Sequence, residues 1–196
     1  MDWILASASP RRQELLKQVI AEFEIVPSTA EEKTEGNLSP KELVKSLACL
    51  KAAEVAARPK YREKAVLGSD TVVACEGEIL GKPKDEADAL RMLTKLSGNV
   101  HEVYTGVCML FPDGNGGRIE RVEADCTKVF FLPLKQEEIL AYIATGSPMD
   151  KAGAYGMQDG GLVERIEGSF SNVIGLPVEL CKAMIAKAKA DGIDVE

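Results

Sequence analysis

The sequence predicts an α/β fold built around a mixed β-sheet and flanked by helices. Short runs of apolar and β-branched residues alternate along the chain with longer amphipathic segments, the order expected when helices cover a sheet. At least two pairs of neighbouring runs are joined by glycine-containing turns, which are typical of β-hairpins. A chain of 196 residues with no internal repeat and no clear linker can bury one core, so we expect a single domain over residues 1–196.

Composition and charge exclude several classes of function. The hydrophobic content of 45% and charged content of 28% are ordinary for a globular protein. No segment approaches the roughly 18 uninterrupted apolar residues of a membrane span, and the start of the chain lacks the pattern of a signal peptide. We therefore expect a cytoplasmic protein without a membrane partner. The net charge of −7 argues against a broad nucleic-acid-binding face, whereas a small polyanion needs only a few cations gathered locally.

The cysteines predict neither a zinc site nor a disulfide framework. They are odd in number, widely spaced, and include no C-x-x-C pair and no histidine neighbour. We expect them to act as small hydrophobic residues in a reducing compartment. The five are Cys49, Cys75, Cys108, Cys126 and Cys181.

The first predicted strand, Trp3–Leu5, is followed by a helix that Ser9 caps and Pro10 starts. Arg11 and Arg12 then fall in the first helical turn, where the positive end of the helix dipole disfavours cations by roughly 0.3–1 kcal/mol each. A bound anion would reverse that cost.

Two serines lie beside these arginines. The hydroxyl groups of Ser7 and Ser9 and the two guanidinium groups could converge on phosphate oxygens, which predicts an anion site. The alternative is a surface pair between Arg11 and Glu14, three residues further along the helix.

A second helix is predicted after a short strand at 23–27 and an acidic loop at 28–38. Ser39 and Glu42 form the pattern of a capping box. Lys51 falls inside the apolar stripe of this helix, so its ammonium group must find a partner. It either extends to solvent at the edge of the stripe or faces a ligand, and the sequence leaves both open.

The most informative strand is predicted at 65–74, because Asp70 interrupts its apolar run. An unpaired carboxylate is costly inside a sheet, so Asp70 needs a metal ion, a cation or a catalytic role. The alternative is a bulge that leaves the carboxylate in water. A hairpin return at 78–80 then leads to Lys82, which the following Pro83 holds in an extended segment that could point the ammonium group at a site.

The remaining elements complete the predicted sheet and its helices. His101 opens a strand without a cysteine or histidine partner, so we assign it no role. In order, these elements are a helix from Asp85 to about Leu96, strands at 101–111 and 118–132 joined by a hairpin, a helix at 136–145, short segments at 162–166 and 169–174, and a last helix from about Pro177.

A second stretch rich in small residues, at 150–158, carries Lys151, Tyr155 and Gln158. Small residues allow a backbone to approach a ligand closely, and the tyrosine and the amide could stack on and hydrogen-bond to a base. The alternative is a tight glycine turn with a packed tyrosine.

Several of these stretches together resemble the Maf family, whose older name is septum formation inhibitors. The match covers nearly the whole chain in the family's order. The matching stretches are residues 5–16 (LASASPRRQELL), 68–73 (GSDTVV), 81–85 (GKPKD), 92–98 (MLTKLSG), 148–158 (PMDKAGAYGMQ) and 173–177 (VIGLP).

The resemblance implies a nucleoside triphosphate pyrophosphatase that uses a divalent metal to release a nucleoside monophosphate and pyrophosphate. It also implies an elongated α/β architecture shared with the inosine triphosphate pyrophosphatases, and commonly a homodimer. The form KAGAYGxQ resembles the branch that acts on dTTP and UTP. One departure follows Gln158, where Asp159-Gly160-Gly161 leads to Leu162 by a shorter connection than is usual in the family.

The resemblance also implies roles for individual residues. Asp70 looks like the family's proton acceptor, and Arg11, Thr71 and Gln158 look like its substrate-selecting positions. The residues that fall on family motifs are Ser7, Arg11, Arg12, Glu32, Lys51, Asp70, Lys82 and Gln158.

The residues and the resemblance lead to the same chemical hypothesis. Arg11, Arg12, Lys51 and Lys82 would offset the charge of a triphosphate, and Asp70 would accept a proton from the attacking water. Because carboxylates repel phosphates, Asp70 and Glu32 imply Mg²⁺ or Mn²⁺. Further substrate contacts are expected from Ser7, Ser9, Thr71, Lys151, Tyr155 and Gln158.

The sequence is also compatible with two other functions. One is a nucleotide-binding regulator of cell division without turnover, and the other is a transferase that consumes nucleotide only with an acceptor. All three hypotheses require the cations to share one cavity.

Overall fold

The computed structural model, which describes residues 1–31 and 37–195, is built on one mixed sheet of seven strands. Its strands are β1 (Trp3–Leu5), β2 (Glu24–Ile25), β3 (Ala65–Cys75), β4 (Glu78–Leu80), β5 (Val100–Pro112), β6 (Arg118–Phe131) and β7 (Val163–Glu167). Its helices are α1 (Pro10–Leu16), α2 (Pro40–Ala56), α3 (Glu86–Leu96), α4 (Gln136–Ala144), α5 (Phe170–Ile174) and α6 (Val178–Ala190).

The order of the strands confirms the predicted fold class. The sheet runs β2-β1-β3-β5-β6-β7, with β4 also paired to β3. The β2-β1-β3 pairings are parallel, and the pairings from β3 to β7 are antiparallel. The sequence prediction of a strand at 23–27 was too long, because β1 has only three residues and only Ile4 and Leu5 find partners on β2.

The strand pairing along one edge of β3 is interrupted, and the gap determines where the site lies. On this edge β1 pairs with β3 as far as Leu67, and β4 pairs with it from Val73 onward. The other edge is paired with β5 from Val66 to Ala74. Among the described residues, no strand pairs with residues 68–72 on the first edge. Side chains from both faces of β3 can therefore reach the same space.

Helix α2 covers one face of the sheet at very short range. A Cβ atom on Gly68 would lie 2.3 Å from the carbonyl oxygen of Ala48, and one on Gly106 would lie 2.2 Å from that of Val44. Neither position has room for a side chain. The helix backbone therefore lies directly on β3 and β5, and small residues such as Ala52 complete the apolar contact.

The other helices cover the opposite face in two groups. Helices α1, α5 and α6 pack over one end of the sheet, where Trp3 meets Phe111 edge to face with ring centroids 5.5 Å apart. Helices α3 and α4 pack over the other end, around residues such as Leu93 and Phe131. The site lies between these two groups.

The predicted starts of the helices are confirmed. The Ser9 hydroxyl accepts from the Arg12 N–H at 3.5 Å, and Ser39 and Glu42 form both hydrogen bonds of a capping box. Asp85 caps α3 through the N–H of Asp88 at 2.8 Å. No helix within the described ranges combines the length and apolarity needed to cross a membrane.

Candidate active site

A cavity of about 970 Å³ opens at the interrupted edge of β3. Its wall is formed by the loop before α1, the first turns of α1, the inner face of α2, β3, and the segments at 150–158 and 173–175. Of the residues predicted for the site, only Glu32 lies outside the described residues. The others all line this cavity: Ser7, Ser9, Arg11, Arg12, Lys51, Asp70, Thr71, Lys82, Lys151, Tyr155 and Gln158.

The floor of the cavity holds a buried ion pair. The Lys51 Nζ lies 2.5 Å from the Asp70 Oδ1, and the two side chains are only 16% and 11% exposed. Removing either partner would leave a charge in a poorly solvated position, which is strongly unfavourable. Lys51 therefore lies against Asp70 at the cavity wall instead of extending to solvent, and Asp70 lies on a continuous strand with no bulge.

The sequence places this pair through two different periodicities. Asp70 points to the same face of β3 as Val66 and Gly68, because side chains on a strand alternate. Lys51 lies on the inner face of α2, four residues after Leu47. The close packing of α2 on Gly68 brings the ammonium group within reach of the carboxylate.

Arg12 connects α1 to two other parts of the wall. Its Nε donates to the carbonyl oxygen of Gly175 at 2.8 Å, and its Nη2 donates to the Thr71 hydroxyl at 3.1 Å. Its Nη1 lies 3.5 Å from the Ser7 hydroxyl, which also accepts from the Ser9 N–H at 3.2 Å. The guanidinium group is thus held in one orientation at the cavity wall.

Arg11 and Lys82 are the more accessible cations. Arg11 pairs with Asp150 at 3.6 Å, and Glu14 pairs instead with Lys17, so the surface pair considered for Arg11 does not form. Lys82 is exposed and makes no ion pair with any residue in the described ranges. Both can turn toward a ligand at little cost.

Lys151 stabilises the loop that carries Gln158. Its Nζ donates to the Ser147 carbonyl at 2.5 Å and to the Asp150 Oδ1 at 2.9 Å. Asp159 closes the loop by accepting from the Tyr142 hydroxyl at 2.5 Å. Partial burial raises the pKa of Asp150, but the hydrogen bond and charge of Lys151 outweigh it, so the pKa lies below its usual value. The sequence did not indicate this supporting role of Lys151.

Tyr155 belongs mainly to the core, although it also lines the cavity. Its hydroxyl lies 2.7 Å from the His101 Nε2, and its ring meets Phe131 edge to face with centroids 4.9 Å apart. This is the packed tyrosine that the sequence allowed as an alternative to base stacking. Burial lowers the pKa of His101 to about 4. The neutral imidazole can then share one hydrogen bond with the tyrosine.

Several residues that support the site had no assigned role in the sequence. The Gly175 carbonyl accepts from both Arg12 and Ser69, and the Thr71 hydroxyl lies 2.9 Å from that of Thr105. Thr105 in turn donates to the Asn172 carbonyl at 3.0 Å. The weak signal for this network was the stretch at 173–177, which matched the family without suggesting a function.

The donor set of the cavity fits a hard divalent cation and a polyanion. Mg²⁺ is usually held by one or two carboxylates together with phosphate oxygens of the substrate. Asp70 supplies one such carboxylate, and its Oδ2 accepts no hydrogen bond from any described residue. The surrounding lysines and arginines supply the charge that a triphosphate requires.

The chain is similar in sequence to known proteins over nearly its whole length. A model of the family described as Maf-like protein matches residues 2–188. A dTTP/UTP pyrophosphatase of Geotalea uraniireducens is 49% identical over 193 residues, covering 97% of this chain and 96% of its own. A dTTP/UTP pyrophosphatase of Geobacter sulfurreducens is 50% identical over 183 residues, covering 92% of each chain.

Solved structures with the same fold have little sequence in common with the chain. The Ham1 protein of Staphylococcus aureus has a TM-score of 0.53 at 17% identity, with 95% of this chain and 99% of that chain covered. A HAM1 protein from Coxiella burnetii has a TM-score of 0.50 at 12% identity, covering 97% and 99%. The fold is therefore shared with the Ham1 proteins, and the chain belongs to the Maf-like protein family.

Proposed function

We propose that this protein is a nucleoside triphosphate pyrophosphatase that hydrolyses dTTP and UTP to the monophosphate and pyrophosphate. The observation that carries the proposal is the Lys51–Asp70 pair at the floor of a cavity lined by further cations. The names of the relatives supply the substrates, and the identity of about half over more than 90% of both chains supports the transfer.

The cations would bind the triphosphate and stabilise the charge that develops on the leaving pyrophosphate. Arg12 is already oriented by Gly175 and Thr71, whereas Arg11 and Lys82 would move onto the phosphates as the substrate enters. Fixed donors directed at developing charge lower the barrier more than donors that must reorganise. Arg12 is therefore the best oriented of the three for the transition state.

Asp70 would act as the general base. Lys51 holds its Oδ1, which orients the carboxylate and leaves Oδ2 without a hydrogen bond from the described residues. A water beside Oδ2 would lose its proton to that oxygen as it attacks phosphorus. General-base assistance of this kind contributes about 10²–10⁴ in rate.

A divalent cation, Mg²⁺ or Mn²⁺, would be held by Asp70, by phosphate oxygens and by Glu32. The part of Glu32 is predicted from the sequence alone. When bound, the cation would neutralise phosphate charge and polarise the phosphoryl oxygens. A homodimer and a cytoplasmic location also stay predictions from the sequence.

The base would lie toward the segment at 150–158. Gln158 is exposed at the cavity wall and carries an amide that can both donate to and accept from a pyrimidine. Thr71 and Tyr155 are less available, because their hydroxyl groups are engaged with Arg12 and His101. Gln158 is therefore the strongest candidate for base selection.

A panel of nucleoside triphosphates, with and without Mg²⁺ or Mn²⁺, tests the proposal. We expect dTTP and UTP to yield the monophosphate and pyrophosphate in a one-to-one ratio, only with metal. Binding without turnover would support a nucleotide-binding regulator instead. Nucleotide loss that requires an added acceptor would support a transferase.

A further inference from the structure

A second cluster of ligand-type side chains lies outside the active-site cavity. It consists of Cys49 on α2, Cys108 on β5 and Glu120 on β6. The two sulfur atoms and a carboxylate oxygen of Glu120 all lie within 4.8 Å of one another. None of the three residues lines the active-site cavity, and no step of the proposed hydrolysis uses them.

The fold brings these distant residues together through the packing of α2. Cys108 pairs in register with Gly68. The backbone of α2 at Ala48 packs directly against Gly68. The next position on the same face of β5, Leu110, pairs with Glu120. Cys49 follows Ala48 on the helix. The thiol of Cys49 therefore meets the thiol of Cys108 at the border between helix and sheet, with the carboxylate beside them.

We propose that Cys49, Cys108 and Glu120 bind a thiophilic divalent cation such as Zn²⁺. Two thiolates and one carboxylate are ligands that Zn²⁺ takes in tetrahedral sites. Sulfur atoms that share one tetrahedral Zn²⁺ are about 3.8 Å apart, from Zn–S bonds of about 2.3 Å, and the observed cluster is compatible with that spacing. Each thiol releases its proton to solvent as its sulfur bonds to the metal.

The burial of the three residues determines which side of the site is open to solvent. Cys108 is buried, Cys49 is half-buried and Glu120 is exposed, so the ligands run from the core to the surface. A cation can enter from the Glu120 side, and water can fill a fourth position there. This arrangement of three protein ligands and one open position differs from a closed structural site with four protein ligands.

The carboxylate favours a metal over a disulfide. A disulfide would use only the two sulfur atoms and would leave Glu120 beside them without a partner. Glu120 makes no ion pair with any residue of the described ranges, whereas the neighbouring Glu123 is paired with Lys45. A cation between the thiolates and the carboxylate satisfies all three groups at once.

The cluster is adjacent to the active site along the chain. Cys49 precedes Lys51 by two residues, and Gly68, the register partner of Cys108, precedes Asp70 by two. A bound metal would join α2 to β5 next to the Lys51–Asp70 pair. The expected effect is to stabilise the packing of α2 without adding a group to the cavity.

Titration of the protein with Co²⁺ tests the site, since thiolate-to-Co²⁺ charge transfer gives an absorption band that carboxylate or nitrogen ligands do not produce. The protein is kept reduced with a phosphine that carries no thiol. We expect a band that saturates at one Co²⁺ per chain, its loss when one equivalent of Zn²⁺ is added, and a higher melting temperature with Zn²⁺.

Three variants make the test specific. Cys49→Ser should abolish the band, and Glu120→Gln should weaken Co²⁺ binding by at least about tenfold, since even second-shell partners of metals account for about 10–100-fold. Cys126→Ser removes an exposed thiol outside the cluster and should leave the band unchanged. Cys49 is half-buried and Glu120 is exposed, so neither change removes a fully buried side chain.

Two results would overturn the proposal. The first is the absence of a thiolate band in the reduced wild-type protein. The second is a band that persists in Cys49→Ser or disappears in Cys126→Ser, which would place the metal at another thiol. Activity is not the readout, so failure here leaves the proposed hydrolase function untouched.

Discussion

Two polar pairs are buried on opposite faces of the central strands, and they differ in charge. Lys51 and Asp70 form an ion pair on the α2 face that opens into the large cavity. His101 and Tyr155 share a hydrogen bond of 2.7 Å on the other face, inside the core formed with α3 and α4. Opposite charges join the first pair, whereas a single hydrogen bond joins the second and the buried His101 Nδ1 finds no partner among the described residues.

The comparison shows that burial of a polar group does not by itself indicate chemistry. The His101–Tyr155 pair is neutral, since burial lowers the pKa of the histidine to about 4 and raises that of the tyrosine. It can support packing without a ligand. The Lys51–Asp70 pair carries opposite charges in a poorly solvated place, where removing one partner would leave the other charge uncompensated. Charge, and not burial, therefore distinguishes the candidate site from the core.

The largest expected effect comes from removing the charge of Asp70. Asp70→Asn keeps the shape of the side chain but removes the base, so kcat should fall by about 10²–10⁴. Steady-state pyrophosphate release with dTTP measures the change, and circular dichroism checks the fold.

Asp113→Asn is the matched control, because Asp113 lies in an exposed turn that does not line the cavity. It should retain full activity. Near-full activity in Asp70→Asn would make the ion pair a structural feature and remove the contrast between the two pairs.

The next effect is a pH dependence of stability that belongs to His101. In the unfolded chain His101 is protonated below its usual pKa of 6.5. In the folded chain burial lowers this pKa, so His101 stays neutral until the pH approaches 4. The contribution of neutral His101 to the free energy of unfolding is therefore fully present above pH 6.5. It is lost as the pH falls, by about 3 kcal/mol at pH 4.

Urea unfolding of wild type and His101→Gln between pH 7 and 4 measures this loss. His101 is the one histidine of the chain, so carboxylates titrate alike in both proteins and cancel in the difference. We expect the wild type to lose about 3 kcal/mol more than the variant over this range. Equal losses would show that His101 is solvated or charged in the folded protein.

The smallest effect is expected for Tyr155→Phe. The change removes the partner of the His101 Nε2 and should cost about 1–3 kcal/mol of unfolding free energy. The KM for dTTP should stay within about twofold, because the hydroxyl is directed at the histidine. A large rise in KM would instead place the hydroxyl against the substrate.

Tyr142→Phe is the informative partner of that variant. Its hydroxyl donates to Asp159 and accepts from the Gly156 N–H, so it holds the loop that carries Gln158. We expect its KM to rise more than that of Tyr155→Phe. The reverse order would assign base binding to Tyr155.

The sequence predicted much of the fold because local signals were strong. Proline and serine at the starts of α1 and α2, and glycine at the hairpins, defined elements that the structure confirms. Asp70 also stood out, since a carboxylate inside a β-branched run conflicts with its surroundings. These signals depend on neighbours in sequence and can be identified without tertiary structure.

What the sequence could not supply depends on contacts between distant residues. The partner of Lys51 is nineteen positions away on another element, and the partner of His101 is fifty-four away. Cys49, Cys108 and Glu120 follow no ligand spacing, so the expectation of cysteines as simple hydrophobic residues missed their cluster. Tyr155 was assigned to the substrate because its partner could not be identified from its own stretch.

The close seating of α2 has a consequence for how the protein can change. The separation between helix and strand is fixed by Gly68 and Gly106, where even a methyl group would collide with main-chain oxygen. Larger residues there would lift α2 and pull the ammonium of Lys51 away from its carboxylate. Gly68 and Gly106 take no part in the reaction, yet they set the geometry of the Lys51–Asp70 pair. Substitutions in the walls of the cavity should therefore be tolerated more readily in evolution than substitutions at these two glycines.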